Sequence, residues 1–214
     1  MDIGIIGSGK AGQTLGSALA AKGHAVVMGT RDEGKLREWA AKAGARIRVG
    51  SSADAAAHGE IVINATAGRG SLEALRMAGA ANLRDKILFD ISEPLDFSRG
   101  FPPSLFVSNT ESLGEQIQAA FPDTLVVKTL NTVNAAVMVD PGKVGGGDHQ
   151  LFVSGNDAAA KSKVTELLKS WFGWKNVLDL GDITTARGTE MYIALWVRLY
   201  GKMNTPLFNI RIVT

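Results

Sequence analysis

The residues with the clearest chemical promise are Gly7-Ser8-Gly9-Lys10-Ala11-Gly12, a G-x-G-x-x-G turn between the apolar run Ile3–Ile6 and the helical pattern Ala11–Lys22. In a strand–turn–helix setting each glycine has its own task. Gly7 permits the tight turn, Gly9 lets the backbone approach a pyrophosphate, and Gly12 lets helix and strand pack closely. The helix N-terminus then offers unpaired N–H groups and a partial positive charge to that phosphate. After the next apolar run, Ala25–Met28, a site for NAD would carry Asp or Glu to hold the ribose 2′-OH. Here stand Gly29-Thr30-Arg31, a hydroxyl donor followed by a guanidinium that can grip a 2′-phosphate with two charge-assisted bonds. The pair favours NADPH over NADH, and Asp32 is the neighbour that could claim Arg31 instead.

Three further segments end candidate strands: Asn64-Ala65-Thr66, Asp90-Ile91-Ser92 and Thr129-Leu130-Asn131-Thr132. Ligands of open parallel sheets lie outside the strands' carboxyl ends, so Asn64, Ala65, Thr66, Asp90, Ser92, Asn131 and Thr132 are candidate contacts to ribose and nicotinamide. Turn formation alone would account for any one of them. No catalytic acid–base constellation stands out; Tyr192 and Lys202 are possible proton donors that fit a helix surface equally well. Hydride transfer between two rings depends more on alignment than on proton transfer, whereas a ketone or imine reductase more often needs a donor. There are no cysteines, and three histidines lack metal-ligand spacing, so thiol chemistry and a metal site are not expected.

These residues need a scaffold, and short apolar runs alternating with helical patterns supply one: an α/β, Rossmann-type doubly wound parallel sheet. Strands are expected at Ile3–Ile6, Ala25–Met28, Arg46–Val49, Ile61–Asn64, Ile87–Asp90 and Leu125–Val127, with helices at Ala11–Lys22, Gly34–Ala43, Ser52–Gly59 and Ser71–Gly79; Asn131–Val139 follows the sixth strand. A loop is expected at Glu93–Pro103. After the glycines 145–147 come a strand (Gln150–Val153), a helix (Asp157–Trp171), a short strand (Asn176–Leu178) and a long helix (Thr184–Tyr200). Residues 1–140 read as the dinucleotide-binding domain and 141–214 as a small C-terminal α/β cap. The apolar extended tail, with Pro206, Leu207 and Asn209, is a candidate wall for an acceptor lying on the nicotinamide.

The net charge of +2 and the absence of a basic run argue against nucleic acid. No apolar run reaches the ~20 residues of a membrane span. With 45% hydrophobic residues and no signal-peptide pattern at Met1, the expectation is a cytoplasmic small-molecule protein.

Taken in order, Gly4 to Gly12, Gly29-Thr30-Arg31, Asp90-Ile91-Ser92, Lys128 to Thr132 and the stretch from Leu195-Trp196 to Asn209-Ile210 resemble the NADPH-dependent deazaflavin (coenzyme F420) reductases and their bacterial relatives. The resemblance implies a Rossmann domain with a small C-terminal domain, usually dimeric. It also implies NADPH over the first turn, its 2′-phosphate on Thr30 and Arg31, and a second ring (F420, or FMN or FAD) in a cleft lined near Asn131 and Thr132 and closed by the C-terminal segment. Asn131 stands where those reductases often carry His, and Glu93 replaces an amide, placing a negative charge near the cofactor. The expected activity is hydride transfer between NADP(H) and a planar redox cofactor. A small carbonyl or imine reductase and a non-enzymatic NADPH sensor are the alternatives.

Overall fold

The computed structural model describes residues 1–214. In chain order the elements are β1 (Asp2–Ile6), α1 (Lys10–Ala21), β2 (Ala25–Gly29), α2 (Arg37–Ala43), β3 (Ile47–Gly50), α3 (Ser52–His58), β4 (Ile61–Asn64), α4 (Gly68–Ala78), α5 (Ala80–Leu83) and β5 (Ile87–Asp90). There follow β6 (Leu95–Asp96), β7 (Ser104–Leu105), α6 (Leu113–Ala120), β8 (Leu125–Thr129), α7 (Ala135–Met138), β9 (Gln150–Ser154), α8 (Ala158–Phe172), β10 (Asn176–Asp179) and α9 (Ala186–Met203). No helix is long and apolar enough to cross a membrane.

Eight strands form one sheet in the order β10-β9-β8-β5-β4-β1-β2-β3, and β6 pairs with β7 in a separate small hairpin. The central strands are parallel and carry apolar side chains on both faces, as a sheet covered on both sides requires. Ile3, Ile5, Val26 and Met28 pack with Leu15 and Leu19 of α1 and Val164 and Leu168 of α8. Ile6, Val62, Leu88 and Val126 point the other way, toward Leu75 of α4, Ile117 of α6 and Ala186 of α9. Helix α1, directly after β1, thus lies on one face and helix α4, directly after β4, on the other. These strands are neighbours, so a crevice opens between their carboxyl ends, where an open α/β sheet binds its ligands.

Two sequence expectations change. The boundary at 140/141 falls between β8 and β9 of one sheet, and the same core cluster holds Val127, Leu151 and Trp171. Residues 141–214 extend the sheet across an antiparallel β8–β9 junction rather than forming a separate cap over it. The segment Asn131–Val139 after β8 is helical only over Ala135–Met138: Leu130 takes a positive φ of 60°, and Asn134 caps the helix by accepting from the Ala136 N–H at 3.0 Å. The Glu93–Pro103 loop contains β6 and folds back onto β7.

Candidate functional site

The crevice begins at the glycine turn. Gly7 has φ +114°, and a Cβ there would sit 2.5 Å from the Ala65 carbonyl carbon; a Cβ on Gly12 would strike the Gly7 carbonyl oxygen. Both glycines are therefore demanded by the protein's own backbone. Gly9 differs: a Cβ there would meet nothing within 4 Å, so the space above it is open. Gly9 is also the N-cap of α1, and no side chain caps that end. The free N–H groups of the first turn thus face a vacant approach, the arrangement that suits a phosphate.

Gly7, Ser8 and Gly9 line a cavity of about 290 Å³ with Thr30 and Arg31 from the end of β2, Ser52 from α3 and Ala65, Thr66 and Ala67 after β4. Thr30 Oγ1 donates to Ser8 Oγ at 3.1 Å, tying the two turns together. Asp32 does not claim Arg31: its carboxylate accepts from the Gly34 N–H at 3.1 Å and lies 3.6 Å from Lys35 Nζ. The Arg31 guanidinium makes no hydrogen bond or ion pair within the chain, leaving its fork free at the cavity rim.

A second, larger cavity of about 760 Å³ shares Ala65, Thr66 and Ala67 with the first, so the two meet over the β4–α4 turn. Ala11, Gly68 and Arg69 line it, with Ile91 and Glu93 after β5, Leu95, Asp96, Phe97 and Ser98 of the hairpin, and Met138 of α7. Its wall is mainly apolar, and its rim carries the ion pair of Arg69 with Asp96 at 2.6 Å. That guanidinium, aided by the Ser98 backbone, holds the Asp96 carboxyl down at about 2. Glu93 makes no hydrogen bond in the chain, and burial pushes its carboxyl up to about 7 against the opposing pull of Lys128.

Beneath this cavity lies a closed polar cluster. Lys128 Nζ donates to Asp90 Oδ2 at 2.7 Å and to the Ser92 carbonyl at 2.8 Å. It also lies 2.8 Å from Glu190 Oε1. Together these contacts use all three ammonium hydrogens. Burial would pull the ammonium down, but Asp90 and Glu190 outweigh it and hold Lys128 above its ordinary value. Asp90 Oδ1 accepts from Asn64 Nδ2 at 2.9 Å and Ser92 Oγ at 2.6 Å. Glu190 in turn accepts from the Leu113 and Gly114 N–H groups, at 2.7 and 2.9 Å, so the last helix caps α6.

This cluster corrects part of the sequence reading. Asn64, Asp90 and Ser92 are buried and spent on one another and on Lys128, so they shape the strand ends and line neither cavity. Asn131 is likewise buried, its amide donating to the Thr189 carbonyl at 3.1 Å. Thr132 is buried with its hydroxyl unpartnered. Pro206, Leu207 and Asn209 line neither cavity of their own chain: Asn209 Nδ2 bonds the Gln150 carbonyl and His149 Nδ1, each at 2.7 Å, while Phe208 stacks on Trp196. Lys10 is exposed beside the turn and Gly12 is buried within it. Tyr192 and Lys202 also stand outside both cavities. Sequence reasoning misses Met138 and the hairpin wall, whose only signal is the apolar pair Leu95 and Phe97 inside a Pro-rich loop.

Residues 2–94 match the family model described as NADP oxidoreductase, coenzyme F420-dependent. A solved protein of Arthrobacter sp. FB24, proposed to be an F420-dependent NADP reductase, is 52% identical, with a TM-score of 0.96 and 100% of both chains covered. The metalloreductase STEAP3 of Rattus norvegicus is 27% identical over 205 residues; the match takes in 95% of this chain, which spans 38% of that protein's length. An imine reductase of Myxococcus stipitatus, solved with NADP+, is 18% identical with a TM-score of 0.65, over 94% of this chain and 61% of that one, a likeness of fold.

Proposed function

The chain belongs to the family of coenzyme F420-dependent NADP oxidoreductases and is an NADP-dependent oxidoreductase; from that premise we propose that it passes hydride between NADP(H) and a planar redox ring, a deazaflavin of the F420 type or a flavin. The observation that carries this reading is the pair of confluent cavities, a smaller one floored by the glycine turn and a larger apolar one beyond it. In this reading Gly7, Ser8 and Gly9 hold the pyrophosphate on the α1 N-terminus, and Thr30 and Arg31 hold the 2′-phosphate. Bound there, NADPH supplies two electrons and a hydrogen as hydride. Ala65, Thr66 and Ala67 lead its nicotinamide end toward the second cavity. Ile91, Leu95, Phe97 and Met138 exclude water and offer flat apolar contact to a ring.

The deciding experiment is NADPH oxidation measured with F420, FMN, FAD and a panel of ketones and imines. Turnover with a ring acceptor is expected; tight NADPH binding without any turnover would favour the sensor reading. One observation favours a second reading, reduction of a small imine or carbonyl: Glu93 is a protonatable carboxyl in the acceptor cavity, as such a reaction needs. The same panel separates the two. We also propose a homodimer, supported by the apolar side chains Met191, Leu195, Tyr200, Met203 and Leu207 left exposed on α9 and the tail. Light scattering at a mass of two chains is the check.

A further inference from the structure

We propose that Glu93 is the proton donor and acceptor of the second cavity, delivering to a ring nitrogen of the acceptor the proton that must accompany hydride. The inference rests on the ring-acceptor reading above, and three features of the site support it.

The first is position. Glu93 follows β5 directly, and its backbone carbonyl lies against Gly68, at the start of α4, so closely that a Cβ on Gly68 would strike it. This contact pins the residue between the β5 end and the helix that walls the cavity. The second is freedom. The carboxylates nearest in sequence are engaged, Asp90 by Lys128, Asn64 and Ser92, and Asp96 by Arg69. Glu93 has no partner in the chain, although it borders the cavity. The third is proton affinity. The charged groups around it are Lys128 from β8, already paired to Asp90 of β5 and Glu190 of α9, and the Arg69–Asp96 pair at the rim. With those cations neutralised by closer carboxylates, burial dominates and the Glu93 carboxyl rises to about 7. A group that titrates there is loaded and unloaded readily near neutral pH.

The balance of the step is complete. Reduction of a deazaflavin or flavin ring by hydride forms one C–H or N–H bond at the ring and leaves a ring nitrogen that takes one proton. The Glu93 O–H bond breaks as the N–H bond to that nitrogen forms, and the carboxylate regains its proton from water. In the reverse direction the carboxylate removes the same proton as hydride returns to NADP+.

The test is Glu93→Gln, which keeps size and removes the ionisable proton. With F420 or FMN as acceptor, turnover of the wild type is expected to fall as pH rises through about 7, because the protonated acid is the active form. At pH 6 the variant should turn over about 100-fold more slowly, with that limb abolished. A second readout needs no acceptor. Calorimetry in buffers of different ionisation heat counts protons released on binding NADP+, whose ring is cationic, and NADPH, whose ring is neutral. The wild type should release more with NADP+ near pH 7, and the variant should show no difference between the two. A variant with wild-type turnover and pH profile, or with an undiminished proton-release difference, overturns the role of Glu93 and leaves the ring reading standing. A wild type inactive with every ring, yet showing the proton-release difference, overturns the ring reading and with it donation to a ring.

Discussion

At the scale of single residues, the three glycines of the first turn separate into two kinds. Gly7 and Gly12 answer to the fold, and Gly9 answers to a ligand. Gly9→Val is expected to leave melting unchanged and abolish NADPH binding, since its side chain enters space the protein leaves open. Gly12→Val should lower the melting temperature instead, because its Cβ collides with the Gly7 carbonyl. Thermal melts alongside cofactor titrations read the contrast. Arg31→Ala should weaken NADPH by about 10- to 150-fold, the loss of one charge-assisted contact of about 1.5–3 kcal/mol, and barely change NADH. Equal losses for both cofactors would make Arg31 a structural residue. Glu93 carries a stability prediction as well. Its carboxyl is raised from 4.5 to about 7 in the fold, so the native state holds the proton more tightly than the unfolded chain. Stability from this group is complete below about pH 4.5 and is lost as pH climbs to about 7, by at most about 3 kcal/mol. Glu93→Gln should therefore match the wild type in denaturant melts at pH 4 and exceed it at pH 8.

At the scale of elements, Lys128 is the joint where β5, β8 and α9 meet. Lys128→Met leaves Asp90 and Glu190 buried without their cation, a loss expected to cost about 3–5 kcal/mol in urea unfolding. Substitution with no measurable cost would mean that the cluster is not a structural joint. The elements themselves are legible in the sequence to different degrees. The parallel strands show because each is a compact apolar run, and α1 shows because Gly9 and Gly23 frame it. Helix α6 escapes the sequence reading although Ser112 and Glu115 announce it: Ser112 Oγ accepts from the Glu115 N–H at 3.1 Å. The turn at Leu130–Asn134 has no local sequence signal, since it rests on the positive φ at Leu130 and the Asn134 cap. In the site, the glycine turn and the Thr30-Arg31 pair can be found because their roles are local. The fate of Asn64, Asp90 and Asn131 is illegible, since it depends on Lys128 and Thr189 arriving from distant parts of the chain.

At the scale of the whole molecule, the sheet continues through both halves of the sequence, and the tail closes its far side. Phe208 is buried on Trp196, and the Ile210 carbonyl accepts from the Gln150 N–H at 3.0 Å. Phe208→Ala should cost about 3–5 kcal/mol in equilibrium unfolding while NADPH affinity stays within a few-fold, because no tail residue borders the dinucleotide cavity. A large loss of affinity in a folded variant would place the tail at the cofactor after all. The capping of α6 by Glu190 has one more consequence, and it concerns time. Glu190 follows Leu113, whose N–H it accepts, by a long stretch of chain that includes β8, β9 and α8. Synthesis adds residues one by one, so the ribosome needs on the order of several seconds to deliver the second after the first. Throughout that interval the Leu113 and Gly114 N–H groups lack the carboxylate that pairs them, and Lys128, once made, lacks one of its two counter-charges. The sheet's central strands already exist by then. Closure of the polar cluster at the strand ends waits for the last helix to emerge, and a chain stalled short of it would leave Lys128 and the start of α6 without Glu190.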